Sequence, residues 1–286
     1  MTTTEVPNAS DRRESYLKKV RALLTQAENP ACTPEEAKSF SAKAAELMER
    51  YSFSLIELDA CGKRIRDEII HKVVFVDDPY SQAKQDLFFR ICEANGVKHV
   101  AGWRRAKYTD VEQQDGTIKR TVSRDAKGKI LKGRTSQLTG FSSDVEKVEL
   151  LFTSLLIQAT NEVFAAEVPS WENTRSFRNS FFYGYSHTIG SRLAKVNREI
   201  RDEEVVRFQE EQGHDLLPVL ASRKAQVDEA SFDRYSRVNK NGKRVSTLRS
   251  TNTTYSYNGG YGSGSNAAGR ADLGNSRLGG RKGLGR

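Results

Sequence analysis

Histidine is the residue type best suited to acid–base chemistry near neutral pH, and this chain has four. None of them stands in an HExxH or other metal-ligand spacing. His187, in the aromatic segment FFYGYSHTIGSRL, is the candidate functional histidine. Proton transfer there would need a carboxylate or a nucleophile in range, and the neighbouring sequence offers none. A hydrogen-bonded histidine in a core or an interface is the favoured interpretation.

The carboxylate of Asp144 is a second candidate, since it follows Ser142 and Ser143 at a predicted helix start. An acid in this position could ligate a metal or act in catalysis. Negative charge in the first turn of a helix is, however, already stabilised by the helix dipole, by about 0.3–1 kcal/mol. Capping is therefore the favoured role. A cleft shared with another acid, with His71 or with His99 would favour a functional one.

The sequence also lacks the motifs of several common enzyme classes. GYGSGSNAAG sets Gly262 and Gly264 in a loose GxGxxA frame, but it follows polar sequence rather than a strand, so a dinucleotide site is rejected. There is no Walker A motif and no GxSxG elbow. The three cysteines form no CxxC pair, which argues against structural zinc. We expect no cofactor, no metal and no enzyme activity; an enzyme with a site assembled from scattered residues is the less favoured alternative.

Positive charge is concentrated in two parts of the sequence, of which the first is Trp103 to Arg134. This segment contains ten Lys and Arg against four acids. Basic side chains release counterions from phosphates, and an exposed aromatic ring can stack on an unpaired base. A nucleic-acid surface and an ordinary exposed hairpin region are equally good interpretations. The candidate contacts are Trp103, Arg104, Arg105, Lys107, Tyr108, Lys119, Arg120, Lys129, Lys132 and Arg134.

The second basic part is the C-terminal end of the chain. From Arg234 to Arg286 eleven Lys and Arg face one acid, a net charge of +10. Because the whole chain carries +9, the first 233 residues sum to −1. Arginine beside glycine, with tyrosines upstream, is similar in composition to RNA-binding glycine–arginine segments. The candidate contacts here are Lys243, Arg244, Arg270, Arg277, Arg281, Lys282 and Arg286.

Apolar periodicity predicts the elements that position these candidates. Spacing of three and four residues predicts helices over 11–28, 34–51, 54–62, 79–96, 142–168, 174–212 and 214–237. The runs EIIHKVVFV, VKHVAGW and SQLTGF predict strands, and the polar stretch 104–134 predicts one or two exposed hairpins. A capping box from Ser143 to Glu146 is predicted to open the fourth long helix.

The fold class is therefore predicted to be α+β, in four parts. These are a disordered N-terminus over 1–11, a helical hairpin unit over 12–62, a body over 63–237 with a small central sheet and long helices, and a basic Gly-rich tail over 238–286. The tail lacks apolar periodicity, and its Gly, Ser, Asn and Thr composition predicts disorder.

The segment YLKKVRALLTQAENPACTPEEAKSFSAKAAELMERYSF resembles the helical hairpin of domain of unknown function family 2786 (DUF2786). The motif positions are Lys19, Arg21, Leu23, Leu24, Ala27, Glu28, Pro34, Glu36, Ala37, Ala44, Leu47, Met48 and Tyr51. Two later segments, LTGFSSDVEKVELLFTSLLIQA and SFRNSFFYGYSHTIGSRL, are similar to a companion region that often follows this hairpin. The resemblance implies a protein of bacteriophage or actinobacterial type, and it implies no chemistry.

The sequence has no apolar run near the 18 or so residues that span a bilayer, and its N-terminus lacks the apolar stretch of a secretory signal. We expect no membrane partner and a cytoplasmic location, in a bacterial host cell if the gene is phage-encoded.

The favoured hypothesis is a non-enzymatic protein that binds DNA or RNA through its basic hairpins and its tail. The alternative is a protein-interaction factor that binds a host or virion protein with its helical hairpin.

Overall fold

The structure is a computed structural model that describes residues 67–112, 117–240, 242–248 and 259–271, with individual positions between Tyr16 and Ile56. In chain order its elements are β1 (Ile69–Asp77), α1 (Ser81–Ala94), β2 (Lys98–Ala106), β3 (Tyr108–Glu112), β4 (Ile118–Val122), β5 (Lys132–Phe141), α2 (Ser142–Ala165), α3 (Thr174–Gln212), α4 (Leu217–Tyr235), β6 (Ser236–Val238), β7 (Arg244–Ser246) and α5 (Gly259–Arg270). The predicted α+β class is confirmed. The predictions for 1–11 and 272–286 lie outside the described residues.

Three strands form an antiparallel sheet in the order β1-β5-β2, so β5 is central and β2 lies at an edge. Side chains alternate along a strand, so neighbouring residues of β5 face opposite sides. On one side Leu138 enters the main core, and the Ser136 hydroxyl accepts from Gln85 of α1 at 3.2 Å. On the other side Tyr235 of α4 donates to Gln137 at 3.1 Å. The sheet therefore lies between α1 and α4.

The long helix α3 has the bounds that its periodicity predicts. Its N-cap is Asn173, whose side-chain oxygen accepts from the backbone N–H groups of Arg175 at 2.9 Å and Ser176 at 3.2 Å. It ends at Gly213, which has a φ of 69°, a conformation that glycine adopts without strain. Five of its apolar residues at helical spacing are buried: Phe177, Phe181, Tyr185, Ile189 and Leu193.

The start of α2 differs from the prediction. The predicted capping box is wrong, because Ser143 lies inside the helix and the N-cap residue, Phe141, makes no side-chain capping bond. The carboxylate of Asp67 supplies the cap instead. It accepts from the hydroxyls of Ser142 at 3.0 Å and Ser143 at 2.9 Å, and from the Ser143 N–H at 3.1 Å. A residue 75 positions away in sequence therefore does what a local motif was expected to do.

The described positions of the N-terminal hairpin are helical, as predicted, and three of them belong to the body's core. Val20, Ala44 and Met48 are almost completely buried in the same apolar cluster as residues of α1, α2 and α3. The rings of Tyr16 and Tyr51 stack with their centroids 4.1 Å apart and join the two halves of the hairpin. The body thus buries these three apolar side chains of the hairpin.

The predicted disorder of residues 238–286 needs correction over two stretches. The strands β6 and β7 pair as a short hairpin. The segment Gly259–Arg270 forms the helix α5, and Ala267 and Ala268 of this helix, with Ala271 just after it, lie in the main core. Five of the twelve residues of α5 are glycine, and each costs about 1 kcal/mol of helix stability relative to alanine. A short segment of this composition is not a stable helix by itself. Docking on the body must therefore supply the stability of α5.

Glycines allow the backbones of α5 and α3 to touch. A Cβ added at Gly264 would lie 2.7 Å from the carbonyl carbon of Phe181, and one at Gly260 would lie 2.8 Å from that of Phe177. From the other side, a Cβ at Gly184 of α3 would lie 2.8 Å from the carbonyl carbon of Tyr261. All three distances are shorter than real Cβ contacts. Only glycine permits this helix–helix approach.

Polar contacts complete the docking of α5. The hydroxyls of Thr188 and Ser265 are 2.8 Å apart, and Arg192 donates to the backbone oxygens of Ala268 and Ala271 at the end of the helix. Cationic donors near the last carbonyls of a helix satisfy groups that have no partner within it.

None of the described helices combines the length and the apolar character that crossing a bilayer requires.

Candidate nucleic-acid interface

The most exposed aromatic side chain in the basic segment is Trp103, which is 81% accessible. It lies on edge strand β2, where the register with β5 shifts by one residue between Ala101 and Arg104. Such a bulge re-aims a side chain. The neighbouring Gly102 lies so close to Thr135 that an added Cβ would be 2.8 Å from the Thr135 carbonyl oxygen. The bulge therefore holds β2 tightly against β5 and leaves the indole in solvent.

Two arginines lie directly opposite each other beside this bulge. Arg104 of β2 pairs in register with Arg134 of β5. Two bonds to Asp78 hold Arg104, from Nε at 2.7 Å and Nη2 at 2.6 Å, while Arg134 donates to Gln82 at 3.1 Å. Burial would raise the pKa of Asp78, but hydrogen bonds from Ser81 and Arg104 outweigh it, so this pKa is lowered. The carboxylate stays ionised and fixes the direction of Arg104.

Lys107 connects β2 to the hairpin β3–β4. Its N–H donates to the Leu131 carbonyl, and its own carbonyl accepts from the Ser123 N–H, both at 2.9 Å. Its ammonium group lies 3.1 Å from Asp77. The backbone bonds anchor the base of a hairpin that is otherwise exposed to solvent.

The hairpin carries a second exposed ring, that of Tyr108, which is 49% accessible. The guanidinium of Arg120 lies 5.5 Å from its centroid, in the range of a cation–π contact. Arg120 is also 3.9 Å from Asp110. Since both groups of this ion pair are exposed, it contributes little to stability.

The remaining basic candidates of this segment are exposed and have no ion pair within the described residues: Arg105, Lys119, Lys129 and Lys132. We call the surface formed by Trp103–Lys107, the β3–β4 hairpin and Lys129–Arg134 the basic ribbon. These charged side chains lie on neighbouring strands. The pairing of β2 with β5 and the backbone hydrogen bonds of Lys107 hold those strands next to one another.

The tail candidates are placed elsewhere. Lys243 is exposed near the turn between β6 and β7, and Arg244 forms an ion pair with Asp233 of α4 at 2.5 Å. Arg270 of α5 pairs with Glu162 of α2 at 2.9 Å. Four further candidates lie outside the described residues: Arg277, Arg281, Lys282 and Arg286.

His187 lies where α1, α3 and α5 meet, among partners that the local sequence does not contain. Arg90 Nη2 is 2.9 Å from His187 Nε2, and Tyr261 Oη is 2.8 Å from Nδ1. Because arginine can only donate, Nε2 accepts, and Nδ1 carries the proton that it donates to Tyr261. Burial and the charge of Arg90 lower the pKa of His187, and Asp86 at 4.0 Å opposes them.

The carboxylate of Asp86 and the hydroxyl of Ser186 therefore lie near His187, as proton transfer would need. These two groups are hydrogen-bonded to each other. Ser186 is fully buried and donates to Asp86. Substrate cannot reach this hydroxyl, and its proton is directed at the carboxylate rather than at the imidazole. The cluster joins three helices, and it was missed because its hydrogen bonds link residues 74 to 100 positions apart in sequence.

Asp144 does lie close to another acid. Arg223 of α4 is 2.7 Å from Asp67 and 3.7 Å from Asp144, and its guanidinium carbon lies 3.5 Å from the centroid of the Phe141 ring. Burial would raise the pKa of Asp67, but the Arg223 and Ser143 contacts lower it overall. A cation thus lies beside both acids, which suits a structural cluster. Among the described residues no group of His, Cys, Asp and Glu is arranged to hold a metal ion.

The fold and the basic ribbon define an α+β protein that presents an exposed basic, aromatic sheet edge. The model of the family described as "Protein of unknown function (DUF2786)" matches residues 15–55, which confirms the resemblance predicted from the hairpin motif. No curated protein and no solved structure matches the chain. The family match ends well before Trp103, so the basic ribbon lies outside it.

Proposed function

We propose that this protein binds nucleic acid through the basic ribbon. The observation that carries the proposal is the position of Trp103, an exposed indole on a bulged edge strand, next to the position where Arg104 lies opposite Arg134. Aromatic rings beside Lys and Arg are the combination that stacks bases and neutralises phosphates. The exposed cations Arg105, Lys119 and Lys132 form no ion pair with another described residue, so they are available for contacts with phosphates.

The proposal is of a binding protein rather than an enzyme. The two candidate catalytic side chains have structural surroundings: His187 lies between Arg90 and Tyr261, and Asp144 lies beside Arg223. The alternative, a partner protein bound by the N-terminal hairpin, loses support because Val20, Ala44 and Met48 are already covered by the body. The bacteriophage context and the cytoplasmic location remain predictions from the resemblance and from composition.

Removal of three exposed ribbon charges tests the proposal. The triple variant Arg105→Ala, Lys119→Ala, Lys132→Ala should bind oligonucleotides more weakly, and the slope of log affinity against log salt should fall by about 2–3. The control is Lys195→Ala, Arg198→Ala, Lys224→Ala, which removes the same charge from exposed positions of α3 and α4. Anisotropy titrations at several salt concentrations measure both. Equal loss in the two variants would mean that net charge alone attracts the ligand.

The contribution of the tail requires a particular truncation. Removal of everything after Arg237 would also delete α5, whose alanines belong to the core. A chain ending at Ala271 keeps that core and removes Arg277, Arg281, Lys282 and Arg286. In the same titrations this truncated chain should lose affinity at low salt and keep the effect of the ribbon variant. Unchanged affinity would exclude the tail from the interface.

A further inference from the structure

We infer that the basic ribbon selects single-stranded nucleic acid, with an unpaired base stacked on Trp103. This inference rests on the proposed function and specifies its ligand. In a duplex the faces of the bases are stacked on one another, and the grooves expose only their edges. An indole gains most from the face of a base, and that face is free only in a single strand.

The surroundings of Trp103 favour stacking over insertion into a duplex. Proteins that insert side chains between base pairs use apolar wedges and spend a few kcal/mol on each step that they unstack. Here the indole is 81% accessible at a sheet edge, and the adjacent side chains are the cations Arg104 and Arg105. A single strand requires no unstacking of pairs, and its backbone can run along the cations of the strand.

The cations beside the ring are held in place before the ligand arrives. Arg104 is fixed by its two bonds to Asp78, and Arg134 by its bond to Gln82. Fixed groups lose less conformational entropy on binding than free side chains do. Tyr108, the first residue of β3, remains half exposed and offers a second ring for a neighbouring base.

The chain contains only two tryptophans, which makes Trp103 observable by fluorescence. In a Trp171→Phe background, Trp103 is the only indole. A short oligodeoxythymidine should quench its emission, and a mixed-sequence duplex of equal length at equal concentration should quench it much less. Trp171 is itself 76% accessible, so its replacement leaves the core unchanged.

Substitution of the ring gives the quantitative test. Trp103→Leu should weaken oligodeoxythymidine binding by about 5- to 150-fold, the equivalent of one stacked base, while Trp103→Phe should retain most of the affinity. Duplex affinity should change less than twofold in both variants. Circular dichroism checks that each variant keeps its secondary structure.

The outcomes separate this inference from the proposed function. If Trp103→Leu leaves single-strand affinity unchanged while the triple charge variant lowers it, the ribbon binds nucleic acid and the stacking inference is overturned. Duplex binding as tight as single-strand binding would overturn it as well. If neither the triple charge variant nor Trp103→Leu differs from the parent chain, both proposals fail.

Discussion

Substitution of one glycine in α5 tests whether helix–helix contact orders this part of the chain. Gly264→Ala places a methyl group 2.7 Å from the carbonyl carbon and 2.9 Å from the Cα of Phe181. These are backbone atoms inside α3, so they cannot rotate away as a flexible side chain would. The helix α5 has to move outward, against its bond between Ser265 and Thr188 and the burial of Ala267 and Ala268.

The magnitude follows from two opposing effects. Extra volume in a packed contact costs about 1–3 kcal/mol, or more where the backbone cannot move. Alanine also gains about 1 kcal/mol over glycine as a helix former. Gly262 isolates the second effect, because it lies two residues away in the same helix and an added Cβ there meets nothing within 4 Å. Gly262→Ala should stabilise the protein, and Gly264→Ala should destabilise it.

Thermal unfolding followed by circular dichroism measures both variants. For a chain of this size, 1 kcal/mol corresponds to about 2–4 °C in Tm. Gly262→Ala should therefore raise Tm by about 2–4 °C. For Gly264→Ala the gain of about 1 kcal/mol offsets part of the packing cost, so Tm should fall by up to about 8 °C. Equal shifts of the same sign in the two variants would refute the reasoning, since the substitutions are chemically identical and differ only in contact with α3.

Two further predictions concern buried charge. His99 packs between the rings of Phe88 and Phe89, its Nε2 has no hydrogen-bond partner in the described part of the chain, and burial lowers its pKa to about 4. Its neutral form is therefore favoured in the fold. The free energy of unfolding should therefore fall as the pH drops from 6.5, by up to about 3 kcal/mol at pH 4. In urea titrations, His99→Leu should remove this part of the loss. Parallel pH profiles for the two proteins would contradict the prediction. Asp67→Asn leaves Arg223, whose side chain is 10% exposed, without its nearest carboxylate. The substitution should lower the free energy of unfolding by about 3–5 kcal/mol at pH 7. A loss below about 1 kcal/mol would show that Asp144 compensates.

The spacing of apolar residues predicted those helices and strands in which this spacing determines which side chains are buried. The helix 174–212 was predicted with its observed bounds, because a continuous stripe of aromatic and aliphatic residues has to face a core. The strand β1 was recognised from its β-branched run, the second part of β5 from the segment SQLTGF, and the exposed hairpin from its polar composition and turn signals. In each case the sequence neighbours carry the information.

Contacts between distant parts of the chain explain what was missed. The composition of α5 predicted disorder, yet its small residues recur every fourth position at Gly260, Gly264 and Ala268, opposite Gly184 of α3. That spacing was the available signal, and it becomes meaningful only when the partner helix is known. The cap on α2 likewise comes from Asp67, a residue far away in sequence.

For the candidate interface, sequence identified the residues but not their arrangement. Clustered charge marked the segment from Trp103 to Arg134, and the register of β2 with β5 then set Arg104 opposite Arg134. The ion pair of Arg104 with Asp78 depends on the turn before α1, so composition could not distinguish held cations from free ones.

The buried face of the N-terminal hairpin limits how the family-matched segment can be used. Val20, Ala44 and Met48 need an apolar surface over them, and in this chain they are buried in the main core, to which α1, α2 and α3 contribute. Residues 15–55 expressed alone would expose that face to water and should associate or unfold. A protein that carries the same hairpin must supply an equivalent cover from its own chain or from a partner. The segment is therefore one part of a larger packed core rather than an independently folding domain.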